Sequence, residues 1–492
     1  VVTRARLVGC IALVTSIAAC RYPNPAGEGA DARHGDAARA DAPGADAPVD
    51  APPADGPFAG TALLLAAAPA IASAGDFVTF EGTFAPSGTF PVTFPGGQVA
   101  SAVMLGSHRA RVRVPPGATA GAIVAAASFP SSVPFRRAAA ALSLGALAPE
   151  PQTGAARLAS TLTTARRGHA AVVVGGRLHV LGGAAGDGQV IASDEWARID
   201  GDGGLGAFVS VPGLVRPRQG HAVVTVGTFA YVLGGVGADG MALASVEVAP
   251  IGPGVLGPFI ELASASLSVP RAHPSAAVIG SWLYVFGGNG GASETVERAA
   301  IGPDGSLGPF VMVPGLTVPG EVACGAMVVG DVVVMLAPAT ALGTSVLHAA
   351  IAPDGELSPF VVDPPAESRR VDARCVSVGR SIYVFGGQTS GPAIEVIQVA
   401  QADVGTIVGA ATPVPGGVLL DHAGGGATAT LVGDQIYLTG GGPMATTRVS
   451  RIALNQGAAL GAMQVDPAAP LQQARFGAVT VVLGDGAYLI GG

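Results

Sequence analysis

Few residues of this chain are able to do ionic or acid–base chemistry, and the most regularly placed of them are arginines. All 26 basic residues are arginine, against 34 carboxylates, 8 histidines and 4 cysteines in 492 residues. Arginines recur just ahead of a repeated strand: Arg166 and Arg167, Arg216 and Arg218, Arg271, Arg369, Arg370 and Arg374, and Arg475. A guanidinium offers forked donors that match carboxylate or phosphate. A ring of them on one face would suit an anionic partner, an acidic polysaccharide or an acidic protein patch. Arg167, Arg216, Arg218, Arg271, Arg370, Arg374 and Arg475 are the expected members of that ring. The same arginines could instead hydrogen-bond loop carbonyls between repeats, and the sequence leaves both readings open. Glu321 and Asp421 stand at the corresponding places of two other copies and interrupt the ring.

The remaining candidates do not assemble. His169 and His221 open strands, and His273, His348 and His422 share no register, which is the pattern of packed or solvated histidines. Motifs that carry nucleophilic, zinc or nucleotide chemistry are missing from any suitable strand–helix setting, and the many GG and GxG matches are turn glycines. No catalytic residue, metal site or cofactor is expected.

Repeated strands must position these residues. FAYVLGG at 229–235 has six relatives: RLHVLGG from Arg177, WLYVFGG from Trp282, VVVMLAP from Val332, SIYVFGG from Ser381, QIYLTGG from Gln435 and GAYLIGG from Gly486. Starts spaced by roughly 49–54 residues mean one copied supersecondary unit, a solenoid or propeller. The second copy reads as four short antiparallel strands, GHAVVTV at 220–226, FAYVLGG at 229–235, SVEVAPI at 245–251 and PFIEL at 258–262, as in a propeller blade. Glycine pairs end the second strand where backbones pass closely. Tyr231, Tyr284, Tyr383, Tyr437 and Tyr488 share one position on that strand, as core packing between blades demands.

Paired glycines after an apolar-aromatic strand, preceded by Gly-His at 168–169 and 220–221, resemble kelch repeats over about 350 residues. The resemblance implies an all-β, kelch-like propeller over 139–492. Recurring turns, GDGGLGAF at 201–208, GPDGSLGPF at 302–310 and APDGELSPF at 352–360, place phenylalanine where kelch blades usually have tryptophan. Seven copies of the first two strands suggest seven blades, with 140–161 supplying the third and fourth strands of the last copy so that no open sheet edge remains. Galactose oxidase has a propeller fold of this kind, but its copper chemistry needs two further tyrosines outside the repeat position, which the chain lacks. Cys324 and Cys375 begin neighbouring blades. Oxidising conditions would permit a disulfide, while a two-residue offset between their registers argues for two buried thiols.

The N-terminal third differs in kind. Residues 1–19 read as an export signal, with Arg4 and Arg6 before an apolar run too short to span a bilayer. The ending Ile17-Ala18-Ala19-Cys20 resembles the lipobox of bacterial lipoproteins, in which the Cys20 thiol would accept the lipid. Residues 20–57, rich in Ala, Asp and Pro, cannot build a core and suit an extended tether. Residues 58–138 hold short strands broken by Gly and Pro. The order Gly75, VTFEGTF at 78–84, RVRVPPG at 111–117 and Gly121 resembles IPT/TIG domains, and implies an immunoglobulin-like β-sandwich ahead of the propeller.

A net charge of −8 argues against a nucleic-acid partner. The reading is a non-enzymatic protein of the exported bacterial cell envelope, held to a membrane through its N-terminal lipid, whose propeller head binds protein or polysaccharide. The alternative is an extracellular enzyme acting on carbohydrate or another envelope polymer, its site gathered from several loops.

Overall fold

The computed structural model describes residues 63–137 and 160–492, except for short stretches inside those limits; the longer are 84–88, 126–131, 200–204, 289–293, 339–343, 364–372, 388–393, 415–425, 455–459 and 466–470. The expected signal, Cys20, the tether, nearly all of 140–161, Glu321, Arg369, Arg370, Asp421 and His422 lie outside the described residues. Within them the protein is all-β, with a single 3-10 turn at Ala263–Ala265.

Eight strands form the N-terminal unit: β1 Leu63–Ala68, β2 Ile71–Ala72, β3 Phe77–Thr83, β4 Thr89–Thr93, β5 Val99–Gly106, β6 Arg109–Arg113, β7 Gly121–Ala125 and β8 Ser132–Arg137. They join in the order β1-β3-β6-β5-β4-β7-β8-β2, antiparallel except for the β2–β8 pair. Strict alternation makes one face a core and the other a surface. In β4, Phe90 and Val92 point inward while Thr89, Pro91 and Thr93 point out. Val78, Phe80, Phe94, Ala102, Ala110, Val112 and Val114 complete the core.

The repeat region forms a series of antiparallel sheets. In the second repeat the strands are Ala222–Val226, Phe229–Leu233, Val246–Gly252 and Ile260–Glu261, with Val224 opposite Tyr231 and Tyr231 opposite Val248. Six repeats build four- or five-stranded sheets of this kind, and the seventh shows the hairpin Val479–Leu483 with Gly486–Ile490. Each sheet is sandwiched between two others, which is why its inner strands read as continuous apolar runs rather than alternating ones. Val172, Val174 and Leu181 of the first repeat pack against Ala230 and Val232 of the second. Their neighbours Ala171, Leu178 and Val180 point the other way, onto Val479, Val481 and Ile490 of the seventh. The first and last sheets therefore lie against each other, and the fold is propeller-like.

The fourth repeat shows what a glycine pair does by lacking one. Its second strand, Val332–Pro338, continues through Ala337 and Pro338 and stays paired as far as Thr344. In the second repeat the ladder stops at Leu233 and Val246, ahead of Gly234. A glycine pair turns the chain off the ladder: the Gly234 amide stays on Ser245 O of its own repeat, while the Gly235 amide is freed for Arg271 O of the next.

Candidate functional site

The arginines ahead of the first strands meet the loops after the glycine pairs. Arg166–Arg167 pairs with Ala184–Ala185, and Arg218–Gln219 with Val236–Gly237, so both kinds of loop emerge on one face, as strand alternation requires.

Arg218 is fully buried. Its Nη1 donates to Gly234 O at 2.8 Å and Ser245 O at 3.1 Å, and its Nη2 donates to Ser245 Oγ at 2.9 Å and Glu247 Oε1 at 2.5 Å. The Glu247 carboxylate also accepts the amides of Val215 at 2.7 Å and Arg216 at 2.9 Å. The same clamp recurs twice. Arg166 reaches Gly182 O at 2.9 Å, Ser193 Oγ at 3.0 Å and Glu195, whose carboxylate accepts the Thr164 amide at 3.0 Å. Arg271 reaches Gly287 O at 2.7 Å, Thr295 Oγ1 at 2.7 Å and Glu297 Oε1 at 2.9 Å. A buried charge is tolerable only when paired and fully hydrogen-bonded, and these pairs meet that condition with carbonyls, hydroxyls and amides on every side.

Backbone bonds carry each clamp to the neighbouring sheet. Gly183 N donates to Arg218 O and Gly235 N to Arg271 O, both at 2.8 Å, Gly441 N to Arg475 O at 2.8 Å, and Gly492 N to Arg166 O at 3.1 Å. Each of these arginines therefore receives an amide from the preceding glycine pair and gives a guanidinium proton to the first glycine of its own, with Arg475 Nη1 on Gly491 O at 2.7 Å. Gly182 sits at φ +60° with room for no side chain; a Cβ there would lie 2.7 Å from Arg218 O.

For two members of the expected ring this geometry matches the other reading, in which arginines hydrogen-bond loop carbonyls between repeats. Arg218 and Arg271 are buried and turned inward, because a guanidinium preceding the first strand is the group that can reach the strand-end carbonyls and the third-strand glutamate together. Arg216 is exposed but pairs with Glu261 at 2.8 Å. Arg167 is exposed, while Arg374 and Arg475 are half-buried, with Arg374 Nη1 on Ala373 O at 3.1 Å. Burial pulls the Arg475 guanidinium below its ordinary value. Among the six described members, Arg218 and Arg271 face the interior, apart from the exposed Arg167 and Arg216; Arg370 is outside the described residues. Glu195, Glu247 and Glu297 were missed from sequence. Their signal was the triplet Ser193-Asp194-Glu195, Ser245-Val246-Glu247 and Thr295-Val296-Glu297, in which the hydroxyl and carboxylate serve the same arginine.

Four of the described histidines are buried or paired with a carboxylate. His169 and His221 are buried, and among the described residues the His221 ring has no hydrogen-bond partner on either nitrogen. Burial, followed by the Arg166 charge, lowers the His169 pKa to about 3; burial, then Arg218, holds His221 well below its usual value. His179 Nδ1 meets Asp194 at 2.7 Å, and His348 Nδ1 meets Asp363 at 2.7 Å. Cys324 and Cys375, left open between thiols and a disulfide, are joined, with Cα atoms 5.5 Å apart. Among the described residues, no group of three or more His, Cys, Asp or Glu is placed to hold a metal ion.

Above the clamps, two equivalent loops share a backbone and differ at their tips. Asp187 Oδ1 accepts the Gln189 amide at 2.9 Å, and Asp239 Oδ1 accepts the Met241 amide at 3.0 Å. Each aspartate fixes its own turn and presents the residue two further on to solvent. Met241 is 66% exposed.

No family model matches the chain, and no curated protein matches it. Among solved structures, the one described as "Structure of YjhT" resembles 62% of this chain and 98% of its own length, at 10% identity and a TM-score of 0.43, a likeness too slight to bear on the site.

Proposed function

We propose that this is an exported, lipid-anchored binding or scaffold protein whose head is a seven-bladed, kelch-like propeller. The observation that carries the reading is the pair of loops 184–189 and 236–241. Their backbones are fixed in the same way by Asp187 and Asp239, while the exposed tips differ, Gln189 in one and Met241 in the other. A constant frame with varied, pre-ordered tips is the arrangement that recognition favours, since ordering cost is met before the partner arrives. The polar residues that recur from repeat to repeat are spent on holding sheets together, which leaves the tips as the variable part of that face.

Two further parts of the proposal have separate support. The strand order of the N-terminal unit supports an immunoglobulin-like reading: β1-β3-β6-β5 follows the order ABED and β4-β7-β8 the order CFG, the two runs being joined through the β4–β5 pair and β2 running parallel to β8. The Ile17-Ala18-Ala19-Cys20 ending supports lipid attachment at Cys20, and a Cys20→Ser chain should leave the membrane fraction.

The test is a binding screen of the purified, unlipidated chain against envelope polysaccharides and surface proteins. A bound partner should lose at least tenfold in affinity with Gln189→Ala and Met241→Ala together, at unchanged melting temperature. Shortening of any polymer in the screen would replace this reading with an enzymatic one, and binding indifferent to both tips would remove the assigned face.

A further inference from the structure

We infer that the junction between the seventh and first sheets is an acid-sensitive latch, closed while the His169 imidazole is neutral and released when it takes a proton.

The first observation is where the ring lies. His169 stands immediately before the first ladder pair of its own repeat, Ala170 with Leu181. Its ring nevertheless rests on the seventh repeat, where a Cβ added to Gly491 would collide with His169 Cε1. Close by, the Gly492 amide donates to Arg166 O at 3.1 Å. The imidazole is thus caught between two sheets that come from opposite ends of the repeat region.

The second is what surrounds it. His169 is buried. Around it stand Arg166 in its own repeat, His221 in the second, and, in the seventh, Tyr488 and Arg475, whose guanidinium is on Gly491 O. Glu195, the carboxylate of this clamp, is already taken by Arg166 and by the amides of Thr163 and Thr164. A protonated imidazole here would be a desolvated cation beside another cation, a placement that burial makes costly. Burial and the Arg166 charge accordingly hold the closed-state pKa at about 3, whereas a solvated histidine takes its proton near pH 6.5. Closure is therefore fully favoured above that pH and loses ground as pH falls toward 3.

The third is why this junction gives way first. At the place of His169 the second repeat has His221, while the third, fifth, sixth and seventh have Pro274, Ala373, Ala427 and Ala478. Buried imidazoles thus mark the two junctions made by the first sheet. The first and second sheets are also tied by the short connection 212–217, whose Leu214 enters their shared core. The first and seventh have no such short link. Among the described residues their core holds six buried apolar residues, against nine between the first and second sheets. Opening follows the smaller burial, and neither sheet has to lose its own ladder.

The experiment is hydroxyl-radical footprinting of the full purified chain at pH 7 and pH 4.5, read by mass spectrometry. Labelling of Leu178, Val180, Val481 and Ile490 should rise about tenfold or more in acid and fall back when pH 7 is restored. Leu283 and Val285, in the core between the second and third sheets, should keep their pH 7 labelling. His169→Phe should hold the junction at its pH 7 labelling in acid, while His221→Phe should leave the rise in place. If His169→Phe melts early at pH 7, His169→Gln takes its place with the same expectation. The inference is overturned if wild-type labelling at the junction does not rise, if Leu283 and Val285 rise with it, if both His169 variants open as the wild type does, or if His221→Phe abolishes the rise.

Discussion

At the scale of residues, an arginine in this protein is worth what its partners make it. Arg218 and Glu247 are both out of solvent, and each satisfies groups the other cannot. Removing one member leaves an uncompensated buried charge, so Arg218→Ala should cost about 3–5 kcal/mol in urea unfolding. Replacing both, Arg218→Met with Glu247→Leu, should cost less than the two single losses added together, because no lone buried charge remains even though the Val215 and Arg216 amides lose their acceptor; additive losses would contradict the pairing. The buried histidines add a pH dependence of definite sign. The native pKa of His221 lies below the unfolded value, so beneath about pH 6.5 the unfolded chain binds a proton that the native one refuses. Stability is whole above that pH and is lost as pH falls toward the native pKa, by about 1.4 kcal/mol per pH unit for each such histidine. Unfolding free energies measured between about pH 6 and pH 4.5 should fall more gently for His221→Phe than for the wild type. Equal slopes would mean that His221 is protonated in the native state.

Among the elements, the join between sheets is made mostly by backbone. Gly234 lies at φ +60°, and a Cβ would come within 2.6 Å of Arg271 O in the next repeat; Gly240, at φ +78°, has nothing within 4 Å. Both positions penalise a side chain for conformation, by about 1 kcal/mol, but only Gly234 adds a clash with a carbonyl already bonded to Gly235. Gly234→Ala should therefore lower the melting temperature well beyond the small loss from Gly240→Ala, and similar losses would refute the close approach. Turns join the sheets at the opposite ends of these strands. Tyr231 Oη donates to Gly305 O at 2.9 Å and Tyr284 Oη to Gly355 O at 3.0 Å, each reaching the Asp-Gly turn of the following repeat. Burial, with the Asp304 charge, pushes the Tyr231 phenol up to about 12, which keeps it a donor. Some outermost strands are short, as in Val209–Val211, which Pro212 follows, and Val361–Val362, whereas Val311–Thr317 and Leu460–Val465 run longer; where they occur, brevity and proline limit pairing with another chain.

For the whole molecule, the arginine clamps are unevenly distributed. Arg166, Arg218 and Arg271 are consecutive, while the fourth repeat has Leu347 at the clamp-glutamate position and the sixth has Ser450. The disulfide lies where that support is interrupted, joining the fourth repeat to the fifth across 51 residues. Closing a loop of that length stabilises by about 2–4 kcal/mol. Cys324→Ser with Cys375→Ser should lower unfolding free energy by that amount, as followed by denaturant titration. A reductant should act slowly on the folded wild type, since Cys324 is buried and Cys375 half-buried. Rapid reduction under native conditions would show that the first strands separate readily.

Periodicity alone determined the repeating unit of this protein, because a copied sheet must present the same apolar register, the same tyrosine and the same turn glycines each time. The second-repeat strands expected at 220–226, 229–235, 245–251 and 258–262 lie within a residue or two of the observed ones, their ends trimmed where glycine and proline interrupt the ladder. The clustering of arginines before the first strand was equally legible, but their role was not. Arg216 and Arg218 are two residues apart in sequence and one faces solvent while the other faces a buried glutamate. Only tertiary structure decides that, since the partner, Glu247, is 29 residues away and arrives through strand pairing. The cysteines show the same limit. Register within each copy suggested an unfavourable offset, whereas the join between Cys324 and Cys375 depends on how two neighbouring sheets are set against each other, a packing relation that no single repeat contains.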